Sequence, residues 1–302
     1  MDDISDQELL KLIIEADDLL LQGGVSPQGR SLQVILKVME RLGHKDFVFA
    51  GIGKSPFVDK ISTLHASLYR PTDFAIGGLH GGIFMFRDVF ARVTVPIIYG
   101  APKINPFEMT DLSEKQLQWL CSRDQDMRMF LDQFIDIFDF AGGTNNLGDY
   151  EAPPKDALDI FMLAAFQLQG AAAALSVAFD SRGAVQSALI GTELALKGGL
   201  AAAGADEAAR RKHGHNFASA AKALREVRAG FDLERVLATI VRMPPYVENR
   251  YSSTQPNRIE TGHIVMGAQY IAGEVMRQAT GNSIRAKMSM QGERVYPPLS
   301  KS

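Results

Sequence analysis

The turn Arg210-Arg211-Lys212-His213-Gly214-His215-Asn216 gathers the side chains of this chain best suited to moving protons and holding phosphate. An imidazole exchanges protons near neutral pH and a guanidinium stabilises charge developing on a phosphate, so Arg210 and His215 together would do acid–base chemistry without a metal. Arg211 and Lys212 either hold a nucleic-acid backbone through sequence-independent charge or form a solvated basic turn. Asn216, at the head of the next helix, either caps it or joins its first amides in holding an anion. The preceding helix carries Glu193 and Lys197, spaced to pair on one face; an exposed pair of that kind is worth about 0.2–0.5 kcal/mol and reads as structural.

A second candidate lies nearer the amino end. Phe47-Val48-Phe49-Ala50 reads as a short buried strand running into Gly51-Ile52-Gly53-Lys54-Ser55. Gly51 and Gly53 admit unusual backbone angles, Ser55 and its neighbouring amides would bind phosphate, and Lys54 would neutralise it. A Walker A loop is excluded, because Val48 stands where that pattern needs glycine. His65, His80, Asp88 and Glu108 match no compact ligand spacing, so neither a metal nor another cofactor is expected. Trp119 and the phenylalanines between 130 and 140 recur at helical spacing and read as core or interface rather than as base-stacking groups.

Helices are expected over two segments within 5–43, the second capped by Ser26 with Pro27 at its first position and Gly43 at its end. Another is expected at 56–68. The glycine-rich GGLHGG at 77–82 leads into the apolar Ile83–Phe86, and Val93–Ile98 reads as a strand that Pro96 confines to a sheet edge or shortens. A helical region starts at Ser113. Residues 141–154 concentrate Gly, Asn and Pro and read as a domain boundary. Helices follow at 156–180, 182–204, 215–229, 231–242 and 259–280, the last with Gly262, Gly267 and Gly273 admitting a close neighbour. Residues 157–179 are long and apolar enough to cross a bilayer, but Asp159, Gln167, Gln169 and the alanines read instead as a helix buried on most sides by protein.

The order of Glu193, Leu196-Lys197, a short basic turn and Gly214-His215-Asn216, followed by a proline-containing link with Arg250-Tyr251 and a final amphipathic helix, resembles the centre of a HEPN domain. The likeness covers roughly Asp156 to Met276. It implies an antiparallel helical bundle, pairing of two copies, and, by the family's spacing of Arg to His, a metal-independent endoribonuclease with Arg210 and His215 as catalytic residues. Arg211, Lys212 and Asn216 would then contact RNA or nucleotide, in a setting of bacterial stress or phage defence. Active members usually follow the arginine with Asn, Asp or His, where this chain has Arg211. Many members are noncatalytic, so a nucleotide-binding or dimerisation module stands as the alternative. Residues 47–68 with the later Leu79-His80-Gly81-Gly82 are similar to the phosphate-binding segment of sugar-phosphate isomerase domains, with Gly82 in place of that family's Asp; this implies at most a degenerate relative.

The expected fold class is therefore mainly α: a HEPN-like antiparallel bundle at 155–280, an amino-terminal recognition or regulatory domain of α+β or α/β type at 1–145, and a basic tail at 281–302. The tail carries Arg285, Lys287, Arg294 and Lys301 against Glu293 and would either touch phosphates or stay solvated. A net charge of −3 excludes a chain that binds nucleic acid by bulk charge. The lone cysteine, Cys121, and an acidic start unlike an export signal indicate a reducing cytoplasm. Expected partners are RNA or a nucleotide, a second copy, or a protein encoded elsewhere, with no membrane.

Overall fold

The computed structural model describes residues 4–44, 55–70, 73, 78–97, 104–147, 152–177, 181–287 and 293–299. The expected strand at 47–50, and with it Gly51, Gly53 and Lys54, lies outside them. The chain divides into two compact units, Met1–Gly77 and Gly78–Ser302.

The first unit contains α1 (Asp6–Gln22), α2 (Pro27–Arg41) and α3 (Pro56–Ala66). Ser5 and Glu8 cap α1 reciprocally, each side chain accepting from the other's backbone amide. Ser26 sits at the cap position of α2 without a side-chain bond, so Pro27 supplies the start signal there. Leu9, Ile13 and Ala16 of α1 meet Val34 and Val38 of α2 and Val58 and Ile61 of α3 in one core. Asp17 is buried among them and is satisfied three ways: by Arg30 Nη1 at 3.0 Å, Tyr69 hydroxyl at 2.5 Å and His65 Nε2 at 2.9 Å. Burial works to raise its carboxyl, but the bonds from His65, Tyr69 and Arg30 prevail and hold it below the usual range.

Among the described residues the strands belong to the second unit, not to an amino-terminal α/β domain. Strands β1 (His80–Phe86) and β2 (Val89–Val95) form an antiparallel hairpin in which Phe86 faces Val89 across the two-residue turn Arg87-Asp88. Arg87 takes a left-handed conformation, φ 61°, with its guanidinium 4.7 Å from the centre of the Trp119 ring. β2 ends at Val95, directly before Pro96, which has no amide to give the ladder. All of β1 is buried. Its open side is closed by a side chain: Gln269 accepts from the Ile83 amide at 2.7 Å and donates to the Ile83 carbonyl at 2.8 Å, standing in for a third strand. A Cβ on Gly82 would come 2.5 Å from Ile137 Cδ1. Leu79-His80-Gly81-Gly82 thus runs into a packed strand, where close approach of a helix rather than of a phosphate requires the glycine.

The helices of this unit are α4 (Glu114–Cys121), α5 (Asp124–Thr144), α6 (Lys155–Val177), α7 (Ser181–Ala202), α8 (Glu207–Arg211), α9 (Phe217–Val227), α10 (Leu233–Ile240), α11 (Tyr246–Tyr251), α12 (Arg258–Thr280) and α13 (Ile284–Lys287). α12 is central and nearly all buried, packed on α5 and α7. Phe134 and Ile137 of α5 share one core with Phe161 and Leu168 of α6 and Leu196 of α7. Residues 141–144 thus continue α5, α5 and α6 belong to one unit, and the chain divides at Gly77/Gly78. Gly, Asn and Pro mark a turn in the chain; they do not tell whether the helices on either side bury their faces together.

At the crossing of α5 and α12, a Cβ on Gly273 would lie 2.6 Å from the Asp136 carbonyl oxygen and 2.8 Å from its Cα. Backbone cannot rotate out of the way as a side chain can. Gly273→Ala is expected to lower stability by about 1–3 kcal/mol, read by urea unfolding; an unchanged midpoint would show that the two helices are not in this contact.

α6 is apolar and long enough to cross a membrane by length and composition, and 39% of its most apolar window is buried. Phe161, Ala164, Leu168 and Ala171 face the core, whereas Leu163 and Phe166 are 53% and 61% exposed. The expectation of burial on most sides is thus overturned: Ala157, Ala164, Ala165, Ala171 and Ala172 serve one packed face, and an apolar stripe is left outside.

Of the basic tail, Arg285 and Arg294 are turned inward rather than left to solvent or phosphate, whereas Lys287 is exposed. Asp132, Asp136 and Asp139 stand at i, i+4 and i+7 on the buried face of α5. Arg277, in the last turn of α12, reaches Asp136 at 2.9 Å and Asp139 at 3.0 Å. Arg294 grips Asp136 through both terminal nitrogens, at 2.7 and 2.5 Å. Arg285 pairs with Asp132, which also accepts from the amides of Val295 and Tyr296 at 2.7 and 2.9 Å. Burial alone would lower Arg277, but the fields of Asp136, Glu274 and Asp139 reverse this and push it well above its usual value. Three carboxylates on one helix thus draw the carboxyl-terminal segment onto the core.

His80 is fully buried, its ring edge-on to Phe140 at 5.5 Å, and burial pushes its imidazole down to about 4. The unfolded chain takes up a proton near pH 6.5 that the folded chain refuses until about pH 4, so stability from this residue is complete above pH 6.5 and is lost as the pH falls through that window, by about 3 kcal/mol. His80→Leu should flatten the stability profile between pH 6.5 and 4 relative to the parent; equal slopes for the two would contradict the assignment.

Candidate functional site

Three elements converge on His215. α7 presents Glu193 and Lys197 one turn apart, the turn between α8 and α9 presents His215, and α11 presents Tyr246 and Arg250. Asp206 starts α8 by accepting from the Ala209 amide, Gly214 then turns the chain in a left-handed conformation at φ 53°, and Asn216 caps α9 by accepting from the Ser219 amide at 2.9 Å. Asn216 is accordingly a cap. His213 is held in the same turn, with Nδ1 2.9 Å from Ser219 Oγ.

His215 Nδ1 lies 2.7 Å from Glu193 Oε2, and Lys197 Nζ donates to Glu193 Oε1 at 2.6 Å. The carboxylate and the ammonium are largely covered, at 15% and 22% side-chain exposure, while the imidazole is 55% exposed. The His215 ring packs 5.1 Å from that of Tyr246, and the Arg250 guanidinium lies 5.7 Å from the Tyr246 ring centre. A carboxylate on Nδ1 fixes the tautomer in which Nε2 carries the lone pair, the form a general base needs. Glu193 and Lys197 therefore do pair as their spacing implies, but the same carboxylate also orients an exposed histidine.

Arg210 is directed elsewhere. Its Nη1 donates to the Ala205 carbonyl at 2.5 Å and lies 3.7 Å from Asp156, and its side chain is 14% exposed. It ties the α8 turn to the start of α6. Arg211 is exposed and pairs with Glu207 at 2.5 Å, and Lys212 is exposed. Ser55 begins α3 without a side-chain bond to its amides. Among the described residues, no group of three or more His, Cys, Asp and Glu is arranged to hold a metal ion. Sequence reading missed Tyr246 altogether, since nothing in local spacing links it to a residue 31 positions earlier.

Fold and site together define a mainly helical protein with a small antiparallel hairpin and a surface His–Glu–Lys cluster. Compared with protein-family models, with curated proteins and with solved structures, the chain matches none.

Proposed function

We propose that the second unit cuts RNA without a metal, with His215 as the acid–base group. The observation that carries this is the exposed imidazole bonded through Nδ1 to the largely buried Glu193, whose other oxygen is held by Lys197. In this reading His215 Nε2 takes the proton of a ribose 2′-hydroxyl, the 2′-oxygen attacks phosphorus to close a 2′,3′-cyclic phosphate, and the bond to the 5′-oxygen breaks as that oxygen takes a proton from water and leaves as a hydroxyl, after which His215 gives its proton to solvent. Arg211, Lys212 and Arg250 supply the positive charge that holds the backbone. Arg210 serves folding, unlike the role its spacing to His215 implies. The test is a contrast of variants on an RNA substrate in EDTA: Glu193→Gln loses activity, whereas Arg210→Ala, once shown to be folded, keeps most of it. The reverse ranking would return Arg210 to the site and remove Glu193 from it.

A second reading, an assembly module that pairs with its own copy, is favoured by the outer face of α6. Leu163, Phe166, Gly170 and Ala173 follow one another at helical spacing and are exposed. A Cβ on Gly170 would meet only Ser187 Oγ, at 3.9 Å, so internal packing does not require this glycine. A facing helix would use it for close approach. Phe166→Glu should convert a dimer to monomer in sedimentation; a parent that is already monomeric at micromolar concentration, or a variant dimer of equal strength, would set this reading aside.

A further inference from the structure

Of the six histidines in the chain, His215 alone is exposed. His65 and His80 are buried, and His44, His213 and His263 are partly covered. Two of the covered rings rest Nδ1 on a neutral hydroxyl, His213 on Ser219 at 2.9 Å and His263 on Tyr296 at 3.2 Å. His65 meets a carboxylate, Asp17, but through Nε2 and with no exposed surface. His215 therefore combines two properties that the others do not: Nδ1 is held by a carboxylate, Glu193, at 2.7 Å, and Nε2 makes no hydrogen bond among the described residues.

A nitrogen with a free lone pair is a nucleophile as well as a base, and a histidine activated by a neighbouring group forms covalent intermediates. With the proton kept on Nδ1, the lone pair of His215 is confined to Nε2. When Nε2 bonds to phosphorus the ring becomes a cation, and the carboxylate that balances it is already in contact. That carboxylate cannot swing away, because Lys197 Nζ donates to its other oxygen at 2.6 Å and both side chains are largely covered. The Tyr246 ring, 5.1 Å away and inclined at 50°, limits the tilt of the imidazole. Lys212, exposed in the same turn, and Arg250, over Tyr246, supply positive charge near the mouth of the site. Phosphoryl transfer depends mainly on such positioning and charge.

We propose that His215 is also a modification site, whose Nε2 accepts a phosphoryl group from a small activated donor of the acyl phosphate or phosphoramidate class. With phosphoramidate, the bond from Nε2 to phosphorus forms as the donor's phosphorus–nitrogen bond breaks. The leaving nitrogen already carries three hydrogens and departs as ammonia, while the Nδ1 proton stays in its bond to Glu193. The product has no lone pair on Nε2 and places about two negative charges where an RNA backbone would lie. Resting on His215 as the base of the proposed cleavage, the modification switches cleavage off, and hydrolysis of the nitrogen–phosphorus bond restores it.

The test is incubation of the full chain with phosphoramidate at neutral pH beside N-acetylhistidine, an imidazole without a held carboxylate. Intact mass and peptide mapping count and place the phosphoryl groups, and phosphorus NMR tells an Nε2 product from an Nδ1 product. One group is expected, on His215 Nε2, gained about tenfold or more faster than by N-acetylhistidine, since a charge-stabilising partner is already in place. Glu193→Gln should fall to the rate of the free imidazole, and His215→Ala should lose the fast uptake. The phosphorylated chain should cut RNA about 10²-fold or more slowly than the parent and recover when hydroxylamine removes the group. Uptake no faster than by N-acetylhistidine, an Nδ1 product, equal uptake at His213, or undiminished cleavage after phosphorylation would each overturn the proposal. If the unmodified chain leaves RNA intact, the cleavage reading fails by itself, and the rate and position of uptake still decide the acceptor. These measurements on the unaltered chain stand even if a variant fails to fold.

Discussion

Asp136→Ala is expected to destabilise the second unit by about 3–5 kcal/mol, the cost of leaving buried cations without their partner. The carboxylate has no exposed surface and meets Arg277 at 2.9 Å and Arg294 at 2.5 and 2.7 Å. Arg277 retains Asp139 and Glu274 when Asp136 is removed. Among the described residues, Arg294 retains the Tyr296 and Asp132 carbonyl oxygens and the face of the Tyr270 ring, but no carboxylate. The loss should therefore fall on the carboxyl-terminal segment first, releasing Val295 and the buried Tyr296 from α5. Urea unfolding followed by helical signal measures the cost, and protease cleavage within 281–299 ahead of the rest of the unit reports where it falls. Replacing both partners by apolar residues, Asp136→Leu with Arg294→Met, should recover part of the loss, because the penalty belongs to the unpaired ions and not to the absence of an ion pair. A single Asp136→Ala variant as stable as the parent would show that the tail is not held by this network.

His215→Ala is expected to lower RNA cleavage by about 10²–10⁴-fold, the range for removing a general acid–base group. The imidazole is 55% exposed and touches Glu193 and Tyr246 at the edge of the unit, so the variant should fold, which its unfolding curve checks. Glu193→Gln should lower the rate by up to about 10⁴-fold, the drop that follows when the carboxylate orienting an acid–base histidine becomes an amide. The amide of the variant can still occupy the space beside Lys197, but it no longer fixes the proton on Nδ1. A carboxylate that served only to join α7 to the following turn would affect stability and leave the rate per folded molecule unchanged. Measuring cleavage and unfolding on the same preparations separates these outcomes.

The ends of helices and strands in both units were legible because their signals are local. Asn216 caps, Pro27 starts a helix, Pro96 stops a strand, and Gly262, Gly267 and Gly273 each sit where a Cβ would strike a neighbour. Long-range placement was not legible. Gln269 completes β1 from 186 residues away, and no spacing rule announces it. The unit boundary was misplaced for the same reason: a glycine- and proline-rich loop at 141–154 looks alike whether its two helices pack together or apart. One signal was present and unread. Asp132, Asp136 and Asp139 interrupt an otherwise apolar helix face, and the arginines at 285 and 294 are their complement; read together, they distinguish a docked segment from a solvated one. At the candidate site, Arg210 and His215 satisfy a spacing, but the carbonyl of Ala205 claims the first and Glu193 the second.

In the proposed reading the exposed His215, held by Glu193, does the chemistry of this unit. Incubating the purified chain with single-stranded RNA in EDTA, beside His215→Ala at equal concentration, tests it most directly. The parent is expected to give fragments ending in 2′,3′-cyclic phosphate, and the variant to lose nearly all of them. RNA left intact by the parent, or cut equally by both, would contradict it.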